Sequence, residues 1–239
     1  MRISSSQICK PSGFQGETGR NKFIYLAPIA FVQLMASSHS PPPLKSEGLL
    51  ISKLDDISLR LSSPPADGSG LQALVVSPGR AQLAEKLASE EGFHAVQAWY
   101  ADLHDAAEAS GNDPTNGPSV AAESGLPSGM DVLCGADLPD TSFDLVAMPT
   151  LKRSEAEWPR DMLQQAHQRL RIGGVLAVAV DHPKDHWLHE QMQSMFDKVT
   201  SWRDKQGSVY WAKKSNELRK VKDFGCQFAF RDHDRLIQA

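Results

Sequence analysis

The sequence predicts an α/β domain: a mostly parallel, doubly wound sheet with an antiparallel strand at its carboxyl end. A short apolar run, 71–76, and a continuously apolar one, 175–180, read as buried strands. A segment with an apolar stripe at helical spacing, 155–170 with Trp158, Met162, Ala166 and Leu170, stands before the second of them. Strand-like and helix-like segments alternate along the body, which favours parallel strands joined by crossover helices.

Taken in order, residues 1–45 are expected to lie outside the fold and 46–239 to form the domain. The apolar run 23–36 is interrupted by Pro28 and is too short to span a bilayer, which takes roughly 20 apolar residues. A secretory leader, a disordered leader and a translation start at Met35 all remain open for this region. Segment 49–61 mixes alternating and helical spacings, so its type stays open. A loop by composition follows at 62–70.

The strand 71–76 runs into Ser77-Pro78-Gly79-Arg80, and a helix with Leu83 and Leu87 on one face follows, closed by Gly92. Residues 94–100 read as the second strand. The stretch 105–130, rich in Gly, Ser, Pro and Asn, reads as an irregular insertion. Strands are expected at 131–134 and 143–148, then the helix 155–170, ended by Gly173-Gly174. A helix at 185–196 comes next, and a strand at 208–213 is expected to pair with one at 226–230.

A chain of 239 residues suits one such domain with an extra segment. The net charge of -4 argues against a globally basic nucleic-acid protein. Residues 198–239 nonetheless hold ten Lys/Arg against five acids, an asymmetry that suits either an anionic partner or a solvated edge. Cys9, Cys134 and Cys226 are too scattered for a disulfide framework or a zinc site, which favours a reducing, cytoplasmic compartment. His182, His186 and His189 read as polar residues at a strand-to-helix junction rather than as metal ligands.

The stretch 133–180, as strand, acid-bearing loop, strand, amphipathic helix, Gly-Gly and strand, resembles the second half of S-adenosylmethionine-dependent methyltransferases. That resemblance implies a Rossmann-like methyltransferase fold and a cofactor at the carboxyl ends of the strands. Ser77 and Gly79 would form the cofactor turn, Asp102 would hold the ribose hydroxyls, and Asp137 would contact the adenine amino group. Each departs from the pattern. The turn has one glycine and a proline that lacks an N–H, Asp102 lies two residues late, and Arg80 would repel a sulfonium. Both acids read more simply as helix-capping or loop carboxylates. Ala147-Met148-Pro149-Thr150 stands where amino-methylating relatives carry Asn-Pro-Pro-Phe or Asp-Pro-Pro-Tyr, so no catalytic residue is assigned.

Two segments, 170–196 (with Arg-Ile-Gly-Gly-Val-Leu and Asp-His-Pro-Lys-Asp-His-Trp-Leu-His) and 221–239, resemble the duplicated small-subunit ribosomal RNA guanine-N2 methyltransferases, the RsmC type. They match its amino-terminal, degenerate half, which assists folding and RNA recognition. The resemblance implies a role in rRNA processing through binding RNA or a catalytic methyltransferase domain. On the RNA reading, Lys213, Lys214, Arg219, Lys220 and Lys222 meet phosphates. Two alternatives stand beside it. One is an active rRNA methyltransferase using Asp102, Asp137 and a carbonyl near Met148. The other is a structural pairing domain for a separate catalytic half.

Overall fold

The computed structural model describes residues 43–61, 70–79, 81–110, 126–152, 157–224, 229–232 and 235–238. Most of the expected leader, the 62–69 loop, Arg80, residues 111–125 of the expected insertion, and Cys226 lie outside these.

Seven strands form one sheet: β1 (Leu71–Val76), β2 (Phe93–Tyr100), β3 (Met130–Cys134), β4 (Phe143–Thr150), β5 (Leu170–Val180), β6 (Val199–Arg203) and β7 (Ser208–Lys213). Their order is β3-β2-β1-β4-β5-β7-β6. The first five are mutually parallel, and β7 runs antiparallel to both β5 and β6. The sheet is thus the expected mostly parallel one with antiparallel strands at its carboxyl end. Strand order reverses between β1 and β4, the crevice where such sheets take ligands.

Side chains alternate across the sheet and build two cores. Ala73, Val75, Ala147 and Ala177 point to the face covered by α1 (Lys45–Ile51), α2 (Leu54–Ser58), α3 (Gln82–Ser89) and α4 (Leu103–Ala109). Leu74, Val76, Val146, Leu176 and Val178 point to the other, covered by α5 (Glu157–Arg169) and α6 (Trp187–Met195). Burial on both faces is why 73–76 of β1 and 175–180 of β5 are unbroken apolar runs.

Segment 49–61, whose type the sequence leaves open, holds the end of α1 and all of α2. Several expectations need correction. The irregular insertion begins later than expected, because α4 occupies 103–109. Gly173-Gly174 does not end the helix. Residues 171–174 form an irregularity inside β5, between Leu170 opposite Phe143 and Val175 opposite Leu145, where an added Cβ on Gly174 would meet two backbone oxygens at 3.0 Å. Trp158 is 38% exposed and leaves the buried stripe to Met162, Leu163 and Ala166.

The expected partner of β7 is also wrong. Both its edges are taken, one by β5 and the other by β6, a strand the sequence reading missed. The carboxyl-terminal strand instead forms a separate two-stranded sheet, β8 (Ala229–Asp232) with β9 (Arg235–Gln238).

Candidate functional site

The cofactor crevice would lie at the carboxyl ends of β1, β2 and β4, and its first component is the turn after β1. Gly79 donates its N–H to Ser77 Oγ at 3.2 Å, so the turn engages one of its own donors. Ala81 follows with φ +64°, a left-handed conformation that favours glycine. The chain therefore keeps a glycine-type backbone at a position without glycine, at a cost of about 1 kcal/mol.

Above this turn lies the start of α1, a contact the sequence reading missed. A Cβ built on Gly79 would stand 3.0 Å from Leu44 Cδ1 and 3.5 Å from Glu47 Oε2. Glu47 is fully buried, and its Oε1 accepts the Leu83 backbone N–H at 2.8 Å. Leu83 belongs to the first turn of α3, the end of a helix that attracts anions through its unsatisfied N–H groups. Here the anion comes from the chain itself.

Burial pushes the Glu47 carboxyl pKa up, against backbone N–H groups of Leu83 and Leu44 that pull it down. Its Oε2, Ser46 Oγ and the Tyr100 hydroxyl are all buried without a hydrogen-bond partner among the described residues. Tyr100 ends β2, and burial raises its pKa strongly.

Asp102 is the N-cap of α4. Its Oδ1 accepts the backbone N–H of His104 at 2.7 Å and of Asp105 at 3.4 Å. Asp137 Oδ1 accepts from Gln165 Nε2 at 2.9 Å, and its carbonyl accepts the Trp99 indole N–H at 3.0 Å. Gln165 also accepts the Leu138 N–H at 2.8 Å, which fixes the 137–138 loop to α5. Both acids thus have in-chain structural work, and Gly79 lies against Leu44 and Glu47.

The Ala147–Thr150 segment is strand, not loop. Pro149 stands opposite Ala179 of β5, beyond the last β1 partner at Ala147, so its missing N–H falls where β4 has one neighbour. Met148 is fully buried, and Thr150 donates its hydroxyl to the Ala179 carbonyl at 2.8 Å. A cavity of about 310 Å³ opens beyond this end of β4 and β5, with Lys152, His182, Asp185 and Trp187 among its walls. Asp185 caps α6 by accepting the Leu188 N–H at 3.2 Å. His182 lines the cavity and His189 stacks on Tyr210, with ring centroids 5.1 Å apart. Among the described residues, no group of three or more His, Cys, Asp or Glu side chains is placed to hold a metal.

The five expected phosphate-binding residues are split. Lys214 is 1% exposed; its ammonium donates to the Leu170 carbonyl at 2.8 Å and pairs with Glu217 at 2.9 Å. It holds the chain after β7 to the start of β5 and is not presented to solvent. Lys213, Arg219, Lys220 and Lys222 are exposed. Lys222 is anchored by its backbone, which exchanges two 2.8 Å hydrogen bonds with the Gln164 side chain.

No family model matches the chain, and no curated protein matches it. Among solved structures it is similar to the T. thermophilus 16S rRNA N2 G1207 methyltransferase (RsmC) in complex with AdoMet and guanosine. The TM-score is 0.50 at 18% identity, over 77% of this chain and 44% of that one. It is similar also to a protein described as an rRNA methylase from Clostridium thermocellum, at TM-score 0.50 and 15% identity, over 74% of this chain and 99% of that one. These likenesses establish a Rossmann-like methyltransferase fold. The chain spans less than half the length of the T. thermophilus protein. Among the described residues, no helix is long and apolar enough to cross a membrane.

Proposed function

We propose that this chain is a methyltransferase-fold domain without methyl-transfer activity of its own, related to the amino-terminal half of RsmC-type enzymes and acting by binding RNA. The observation that carries the reading is the seat of Glu47. A crevice for S-adenosylmethionine needs an open turn after β1, and the residues present do not fit that group. Leu44 and Glu47 pack on Gly79, and the Glu47 carboxylate takes the α3 N–H that an anionic ligand group would seek. Asp102 and Asp137 are each tied to their own loops. The strand segment 147–150 offers neither an Asn or Asp side chain nor an aromatic ring to an acceptor base.

The test is calorimetric titration of the folded chain with S-adenosylmethionine and S-adenosylhomocysteine. No heat from either, with the fold verified by circular dichroism, is the expected result. Micromolar binding would overturn the proposal and return the chain to the active methyltransferases. The choice of RNA rests on the exposed cations of the carboxyl-terminal segment. Retention of a labelled single-stranded RNA checks it separately.

A further inference from the structure

A long groove of about 860 Å³ runs on the α5/α6 face, between those helices and the segment 216–224. It lies away from the turn after β1. Arg160, Arg219, Lys220 and Lys222 stand along it. None of the four pairs with an acid among the described residues.

The acids nearby are already engaged. Asp197 accepts from Ser215 Oγ at 2.5 Å and from Asn216 Nδ2 at 3.2 Å, and Glu217 is paired with the buried Lys214. The charged side chains lining the groove are four cations against two acids, Asp197 and the already paired Glu217, so the local charge is positive on a chain whose net charge is -4.

Two further features favour an extended polyanion over a free small anion. The cations come from two separate elements, Arg160 of α5 and the row 219–222 after β7, and the reciprocal Gln164–Lys222 bonds hold that row against α5. The walls also include half-buried apolar side chains, Met195, Leu218 and Phe224. Cations for phosphates beside an aromatic and aliphatic surface for bases is the chemistry of single-strand recognition, because only unpaired bases reach such a surface. Arg160 joins the other cations from α5, its guanidinium 5.5 Å from the Trp187 ring centroid.

From this geometry we infer that the α5/α6 groove is the RNA-binding surface, and that it takes a single strand with its phosphates on Arg160, Arg219, Lys220 and Lys222. The inference rests on the RNA reading above and narrows it. It adds Arg160, removes Lys214, which is buried, and leaves Lys213, which is not among the groove's walls, outside the site.

The test is fluorescence anisotropy on the full chain with a labelled single-stranded RNA of about 12 nucleotides, across a salt series. R219Q/K220Q should weaken binding roughly tenfold and lower the salt slope by about 1.4, two phosphates at 0.7 each. K213Q should bind as the wild type does. R219E/K220E should abolish binding with an unchanged circular dichroism spectrum; if it does not fold, the neutral pair carries the same test. Wild-type binding that R219Q/K220Q leaves intact overturns the groove while the RNA reading stands. An RNA duplex competing as well as the single strand overturns the single-strand assignment. Absence of wild-type binding overturns both, and leaves the groove as a face for a protein partner.

Discussion

The Glu47 carboxylate accepts the backbone N–H of Leu83 at 2.8 Å, across 36 residues of chain, and so caps α3 from outside its own sequence. No side chain at the N-cap of α3 does this, since that position is Ala81. Removing the carboxylate in Glu47→Ala should cost about 1–2 kcal/mol through the lost cap. Glu47→Gln keeps an acceptor for Leu83 while removing a buried charge, and should come close to wild-type stability at neutral pH. Urea unfolding at pH 7 distinguishes the two. Equal loss in both variants would mean that the charge itself, not the cap, holds α1 in place.

The same carboxyl sets a pH dependence. Its folded pKa is raised by burial, so between the ordinary carboxylate value and the raised one the folded chain binds more protons than the unfolded chain. Stability from Glu47 is therefore present below that window and falls as pH rises through it. Glu47→Gln should flatten this limb when unfolding free energy is measured from acid to neutral pH. An unchanged limb would assign it to another group.

His167 contributes with the opposite sign. It is buried in the α5 layer, 4.9 Å from the Phe196 ring, and its Nδ1 has no hydrogen-bond partner among the described residues. Burial, with Lys214 nearby, lowers its pKa to about 4 from an ordinary 6.5. Between those values the unfolded chain holds the proton and the folded chain does not. Stability should rise with pH across that window, by at most about 1.4 kcal/mol per pH unit. His167→Phe should remove the slope, read as the pH dependence of the urea midpoint. A slope that survives the substitution would show that His167 is not its source.

Ala81 tests whether the turn after β1 is strained. Ala81→Gly places at φ +64° the residue that conformation favours. Relief of about 1 kcal/mol is offset in part by the entropy glycine loses on folding, so a net gain near 0.5 kcal/mol is expected in the melt. The substitution should not create cofactor binding, because Leu44 and Glu47 still cover Gly79.

These residues show where the sequence is readable. The runs of β1 and β5 are apolar because both faces are buried, and that leaves a mark in composition. Strand β6, Val-Thr-Ser-Trp-Arg, is a half-exposed edge with a weak pattern, so β7 was assigned the wrong neighbour. Asp102 was legible as a cap because its partners lie two and three residues away. Glu47 was not. In Lys-Ser-Glu-Gly-Leu-Leu it reads as a solvated first turn, and only the packing of α1 against α3 turns it inward. A side chain whose partner is distant in sequence leaves no local trace of its burial.

Lys213 and Lys214 make the same point as a paired test. Adjacent in sequence and alike in charge, one is exposed at the end of β7 and the other is 1% exposed. The Lys214 ammonium satisfies the Leu170 carbonyl, where β5 begins, and reaches Glu217 at the surface. Lys214→Ala should leave that carbonyl short of a donor and open a void along the lysine stem, a loss of about 2–3 kcal/mol. Lys213→Ala should stay within about 0.5 kcal/mol of the wild type, as exposed substitutions do. Thermal melts of the two variants side by side give the answer. Equal, small losses would place the Lys214 ammonium in solvent and restore it to the exposed cations of the carboxyl-terminal segment.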